Sequence, residues 1–390
     1  PAHRGAINVH KSKTWGVDGD VVYLAGGYGP YAMTNLVRDS SFPILAAFAE
    51  RAYLPAMLWQ AERRGLIIPL EALGQNADVK PQPPGEVMPR VIADRQKAGF
   101  IFRNRYQDAN DIVFMAYGKG DELNGCWTLP DAGGFRIAGL GTRWVMHSGR
   151  WKWRWLREDE NCVLVPEAPR GWYGATPTYF QGQDDGSGAV SFNMDRTYRK
   201  TEPYGDAFPF SAPARWEDSG VRGGRHFAVD YGGKCGAPAL FVIADKVTGS
   251  KGPLTWQMYA QTGPTYSSTE DVGMKQPTGG PVKEVKVDAD GRGFTFLDAK
   301  GATLRGTVVS PDGKVQMGES RPVYYKNRDI NELEHHQRVE LSSPHGEFVV
   351  VITLQAGAPP QVNAEGKGLA TKATVGQRTL RFDGEKIVME

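Results

Sequence analysis

The sequence predicts an α+β protein that is mostly β: a short helical segment followed by a large antiparallel β-sandwich. Two observations carry this. From Arg90 to Glu390 the chain is a succession of short β-prone runs punctuated by Gly, Pro, Asp and Asn. The 48 glycines and 26 prolines in 390 residues suit many strands and turns. Only Val21–Arg64 shows apolar residues at three- and four-residue spacing, in a background of Ala, Leu, Met, Glu and Arg.

Taken in order, Pro1–Asp20 is irregular. Tyr31–Val37, Phe42–Tyr53 and Leu54–Arg64 read as helices. Ser40 or Ser41 is placed to cap the second, with Pro43 in its first turn, and Gly65 to end the third. Two or three helices cannot close a core alone, so residues 1–75 are expected to pack against the β domain or another chain. Asn76–Pro89 is a Pro-rich linker and the domain boundary. Residues 90–390 are expected to form the sandwich, with runs such as Gly99–Arg103, Phe227–Tyr231, Ala239–Asp245, Leu254–Tyr259 and Glu347–Gln355 as strands.

Composition narrows the function. Lys+Arg 46 against Asp+Glu 44 gives a net charge of +2, without the concentrated basic face of a nucleic-acid binder. No apolar run is long enough to span a bilayer. Three cysteines, Cys126, Cys162 and Cys235, are not a disulfide framework, although one pair is possible in number, and there is no Cys-x-x-Cys. The chain opens on Pro1 rather than Met, so something upstream is expected to have been removed.

The most informative stretch is Asp111–Gly149. Asp111–Tyr117 reads as a strand, Gly118–Ala132 as a Gly-rich loop with Cys126 and Trp127, and Phe135–Ile137 and Trp144–Met146 as strands joined by Gly139-Leu140-Gly141. This succession resembles the linker-to-sandwich region of the heparinase II/III-like polysaccharide lyases, whose loop reads Gly-His-x-His-x-Asp-Ala-Gly-Ser-Phe. Asp131-Ala132-Gly133-Gly134-Phe135 keeps the second half, while Trp127 and Leu129 stand where the two histidines belong. Further anchors follow across residues 90–315. Glu160-Asn161-Cys162-Val163-Leu164-Val165 sits where the family has His-Asn-Thr-Val-Leu-Val, and Arg225-His226-Phe227 leads to Ala239–Val247.

That resemblance implies a fold and a chemistry. The helical segment becomes the end of an α/α toroid, most of which would lie N-terminal to this sequence or be supplied by a second chain or homo-oligomer. The reaction becomes β-elimination on an acidic polysaccharide or oligosaccharide. It needs a neutralised uronate carboxylate, a base at the α-carbon and an acid at the leaving oxygen. By analogy Tyr28 and Tyr31, in Gly26–Tyr31, are the acid/base candidates, with His147 and Arg143 completing a catalytic set. Asn8, His10, Arg103 and Trp127 are candidate substrate contacts. A divalent cation, zinc or calcium, is implied at His147, Glu160 and Asp131. Residence is expected to be secreted or periplasmic.

Each candidate has an ordinary reading beside it. Arg103 and Arg143 equally suit charges on a solvated strand face, Tyr28 and Tyr31 suit turn and core tyrosines, and His335-His336 suits a polar surface loop. Trp151, Trp153 and Trp155 alternate along one side of a strand, as a sugar platform or a packing face. Because the family histidines are replaced, a second function stays open: a non-catalytic carbohydrate-binding or assembly subunit on the same fold. There is no nucleophile elbow and no Walker-type glycine loop.

Overall fold

The structure is a computed structural model that describes residues 80, 82–87, 89–94, 98–107, 110–118, 132–146, 157–169, 173–201, 216–262, 282–310, 313–318, 321–322 and 335–390. The expected helices of residues 1–75 and the Trp151–Trp155 ladder lie outside them. Within the Pro-rich linker, Pro84–Val87 forms one helical turn. The rest is antiparallel β-structure, in agreement with the sandwich expected from the sequence.

Two large sheets dominate. The first has nine strands. In spatial order its path runs Val91–Asp94, Gly99–Arg103, Val113–Tyr117, Phe135–Gly139, Thr142–Met146, Leu254–Ala260, Arg338–Ser343 and Lys314–Met317, with Val163–Leu164 paired to strand 254–260. The second has eight: Val282–Val287, Gly293–Asp298, Ala302–Val308, Glu347–Ala356, Ala239–Thr248, Arg222–Asp230, Gly188–Asn193 and Thr176–Gly182. Alternation along each strand sends one set of side chains between the sheets. Phe100, Phe102, Phe114, Phe135, Trp144 and Trp256 from the first meet Phe192, Phe227, Phe241 and Phe348 from the second. The rings of Phe114 and Phe241 stack at 5.3 Å across the interface.

A third layer was not foreseen. Val362–Glu365, Lys372–Val375, Arg378–Phe382 and Ile387–Met389 form a four-stranded sheet. Its Ala373, Val375, Leu380 and Ile387 pack on Leu240, Val242, Val349 and Val351, which point away from the main core. Arg378 clamps it with two hydrogen bonds to Asp230, Nε to Oδ2 at 2.8 Å and Nη2 to Oδ1 at 2.6 Å. The eight-stranded sheet is therefore covered on both faces. This explains why Ala239–Thr248 is buried almost throughout and shows no solvated side.

Strand ends differ from expectation by a few residues. The first strand of the Asp111–Gly149 stretch starts at Val113, because the Asp111 carboxylate accepts from the Gln107 backbone and from two arginines and so belongs to the preceding loop. The 135–146 hairpin turns on Leu140 and Gly141, both at positive φ (54° and 79°), the geometry of a tight two-residue connection.

Candidate functional site

On the nine-stranded sheet, the residues that alternate with the core phenylalanines point to the opposite face. That face is polar and cationic, yet buried. Arg103, Arg136, Arg143 and Arg338 each expose less than a tenth of their surface. Register fixes their spacing. Arg103 is opposite Val113, Val113 opposite Ala138, and Ala138 opposite Arg143, so the first and last lie three strands apart, about 14 Å. Arg338 is opposite Tyr259. Unneutralised burial of a guanidinium is expensive, so each must be matched by acceptors.

The partners of Arg103, Arg136 and Arg338 are as follows. Arg103 donates from Nη2 to Asp111 Oδ2 at 3.3 Å and from Nε to the Arg105 carbonyl at 2.6 Å. Arg136 donates from Nη2 to Glu160 Oε2 at 2.6 Å and from Nη1 to the Phe135 carbonyl at 2.9 Å, and its guanidinium lies over the Tyr117 ring. Arg338 pairs with Glu340 and donates to Gln257 Oε1 at 3.1 Å and the Tyr259 hydroxyl at 3.2 Å.

Arg143 has a different neighbour. Its charge acts on His336, which is fully buried and has no hydrogen-bond partner on either ring nitrogen among the described residues. Burial first, and Arg143 second, push the His336 pKa down to about 4. The imidazole is therefore neutral at physiological pH. Backbone pairing carries the ladder to this point: the Ala260 amide donates to the Gln337 carbonyl and the Gln337 amide to Thr262 Oγ1. The expectation of a surface loop at His335-His336 is corrected for His336. Both residues form a short strand against Arg321–Pro322.

Behind this face, residues 157–162 cross the end of the sandwich and are held by a polar plug. Arg157 donates to the Ala132 carbonyl at 3.1 Å and lies over the Tyr198 ring. Asn161 Nδ2 donates to the Phe135 carbonyl at 2.8 Å, and its Oδ1 accepts from the Tyr259 amide at 2.8 Å. Gln257 Nε2 donates to the carbonyls of Glu160 and Glu158 at 2.7 and 2.9 Å. From the second sheet Arg225 donates to the Asn161 carbonyl at 3.0 Å and stands 3.2 Å from Asp245. Burial pushes Asp245 up to about 6, against the pull of Arg225 and Arg157. Cys162 is buried here and its thiol is pushed up by burial, so it is a packing residue rather than a nucleophile.

Gly133 has a local reason in the Asp-Ala-Gly sequence. Its φ is +75°, and a Cβ there would fall 2.6 Å from Met194 Cε. The turn delivers Ala132 to Arg157 and starts the strand that carries Arg136.

Of the residues singled out from the sequence, Arg103, Arg143 and Glu160 are described; Tyr28, Tyr31, His147, Asn8, His10, Trp127 and Asp131 lie outside the described residues. Arg103 and Arg143 share a face but sit in separate environments. Neither is on a solvated strand edge. Glu160 is fully buried and its carboxylate is neutralised by Arg136, so a cation would gain little there. Among the described residues no three His, Cys, Asp or Glu groups converge as a metal site. His336, Arg136 and Arg338 were missed. An arginine in a β-run carries no sequence mark of which face it takes, and Glu160 is too distant in sequence to be paired with Arg136 by pattern.

Comparison with solved structures places the fold. A heparinase III crystal structure superposes with a TM-score of 0.51 at 12% identity, covering 77% of this chain and 42% of that one. A second heparinase III gives 0.54 at 12%, covering 92% and 47%. The heparan sulfate lyase HepC mutant from Pedobacter heparinus gives 0.53 at 12%, covering 93% and 48%. The fold is heparinase-like. At this identity the likeness is one of architecture, and the chain spans less than half the length of those proteins. No known family profile matches the sequence. Among the described residues no helix is long and apolar enough to cross a membrane.

Proposed function

We propose that this chain is part of a polysaccharide lyase that cleaves a uronate-containing polysaccharide by β-elimination. The observation that supports this best is a buried guanidinium, Arg143, on the polar face of the nine-stranded sheet, whose charge acts on a neutral imidazole, His336, on the short strand His335–His336. β-Elimination needs a cation to hold the charge that develops on the uronate carboxylate and a neutral base close to it. Arg143 is proposed as that cation. Tyr28 or Tyr31 and His147 complete the proposed set as acid and base. Asn8, His10 and Trp127 are proposed substrate contacts. Secreted or periplasmic residence, a second chain or copy completing the helical part, and a divalent cation near His147 belong to the same proposal.

A specific observation favours the alternative, a non-catalytic carbohydrate-binding or assembly subunit. The position where the family carries a later histidine is Glu160, and its carboxylate is committed to an internal ion pair. One experiment separates the two: absorbance near 235 nm, where unsaturated uronates absorb, over a panel of uronate polymers, with and without EDTA. A rise that Arg143→Ala abolishes supports elimination. Saccharide binding without any rise supports the binding subunit. Loss of the rise with EDTA assigns a metal.

A further inference from the structure

Trp216 is the most exposed large hydrophobic side chain among the described residues, at 46%. It sits on a two-residue strand, Trp216–Glu217, paired with Lys200–Thr201. The Arg199 guanidinium lies 3.5 Å from the indole centroid and 5.6 Å from that of Tyr173. Tyr173 meets the indole edge-on, at 6.5 Å and 75°. The guanidinium is thus held by two rings, which fix its plane while leaving its N–H edge for hydrogen bonds.

The nearby carboxylates have other work. Asp218 makes two hydrogen bonds with Arg222, Nη2 to Oδ2 at 2.6 Å and Nη1 to Oδ1 at 2.8 Å, and accepts from the Gly220 amide. Asp195 accepts from the Gly223 amide and lies 3.9 Å from Arg222. Lys200 is exposed and lies opposite Glu217, on the strand face away from Trp216. The result is a flat apolar surface with a fixed guanidinium stacked on it. A pyranose ring has an apolar C–H face that stacks on an indole, and a carboxylate or sulfate on that ring matches a planar guanidinium edge.

We infer that Trp216 and Arg199, with Tyr173 behind them, form a binding subsite for an anionic pyranose, separate from the polar face of the nine-stranded sheet. The choice of saccharide rests on the polysaccharide reading above; the surface itself does not depend on catalysis. Such a subsite would hold a polymer beyond the reacting bond and contribute affinity rather than turnover.

The test is isothermal titration of the full chain with a uronate oligosaccharide and with a neutral oligosaccharide of equal length, for wild type, Trp216→Ala and Arg199→Gln. Trp216 is surface-exposed, so folding should survive; a far-ultraviolet dichroism spectrum checks it. Trp216→Ala is expected to weaken uronate binding about tenfold, as loss of an aromatic anchor does, and Arg199→Gln to erase the preference for the charged ligand. The rate of absorbance rise at saturating polymer should stay unchanged. Wild-type affinity in Trp216→Ala overturns the inference while leaving the lyase reading intact. Equal binding of charged and neutral saccharides by wild type also overturns it. No rise on any polymer, but with binding that Trp216→Ala abolishes, sinks the lyase reading and keeps the subsite.

Discussion

The Arg136–Glu160 pair makes a sharp claim about why the chain departs from the histidine pattern. Both side chains are within 1% of complete burial, and Nη2 to Oε2 is 2.6 Å. Replacing Glu160 by Leu leaves a guanidinium in the interior with the Phe135 carbonyl and the Tyr117 ring as its remaining neighbours. Breaking a buried pair from one side costs about 3–5 kcal/mol. Those two residual contacts put Glu160→Leu toward the lower end, about 3 kcal/mol. Arg136→Met strands the carboxylate and should cost about as much. The double variant Arg136→Met/Glu160→Leu removes both charges and should return to within about 1–2 kcal/mol of wild type. The predicted coupling is therefore about 4–5 kcal/mol, measured by urea unfolding of all four proteins in a double-mutant cycle. If each single change costs under about 1 kcal/mol and the effects simply add, the pair does not exist in solution. Glu160 would then be available for another partner, and its exclusion as a cation ligand would fail.

Two other outcomes are expected. His336 and His226 are both pushed down to about 4, chiefly by burial, from an ordinary value near 6.5. Their neutral forms therefore contribute stability that is full above about pH 6.5 and lost as pH falls toward 4, up to about 3 kcal/mol each. Asp245, pushed up to about 6, works the other way: its contribution is full below about pH 4 and lost as pH rises through 6. The net expectation is falling stability from pH 7 to 4, with a shallower slope in His336→Gln; identical slopes in urea midpoint against pH would refute the assignment. Gly186→Ala should destabilise by about 2–4 kcal/mol. Its φ is +93° and a Cβ would lie 1.8 Å from the Arg103 carbonyl oxygen; an unchanged midpoint in the same assay would show that the 176–193 hairpin does not press on the Arg103 strand.

The strands were legible because their signal is local. Gly99–Arg103 was bounded correctly by Gly99 and the loop after Arg103, while the 135–146 hairpin was placed by its paired glycines but its strands run two residues further into the turn on each side, to Gly139 and from Thr142. The third layer was not legible, because Ala239–Thr248 is apolar on both faces and a period of two carries no information when neither face is wet. Its cover arrives only with Ala373 to Ile387. The polar face was partly legible. Arg103 and Arg143 stood out by position near the Gly-rich loop, but their burial depends on long-range packing. His336 sits in a run of polar residues, and nothing local distinguishes it from His335.

The double cover of the eight-stranded sheet has a consequence during synthesis. Leu240 and Val242 are made well before the residues that seal them, which lie between Leu369 and Ile387. At ribosomal speeds of roughly 5–20 residues per second, that apolar surface waits on the order of ten seconds for its cover. During that interval the nascent chain presents two hydrophobic β-faces rather than one. Chaperone dependence in this protein should therefore track the emergence of the sealing strands between Val362 and Met389, and a ribosome stalled just before them would display the surface most prone to capture by another chain.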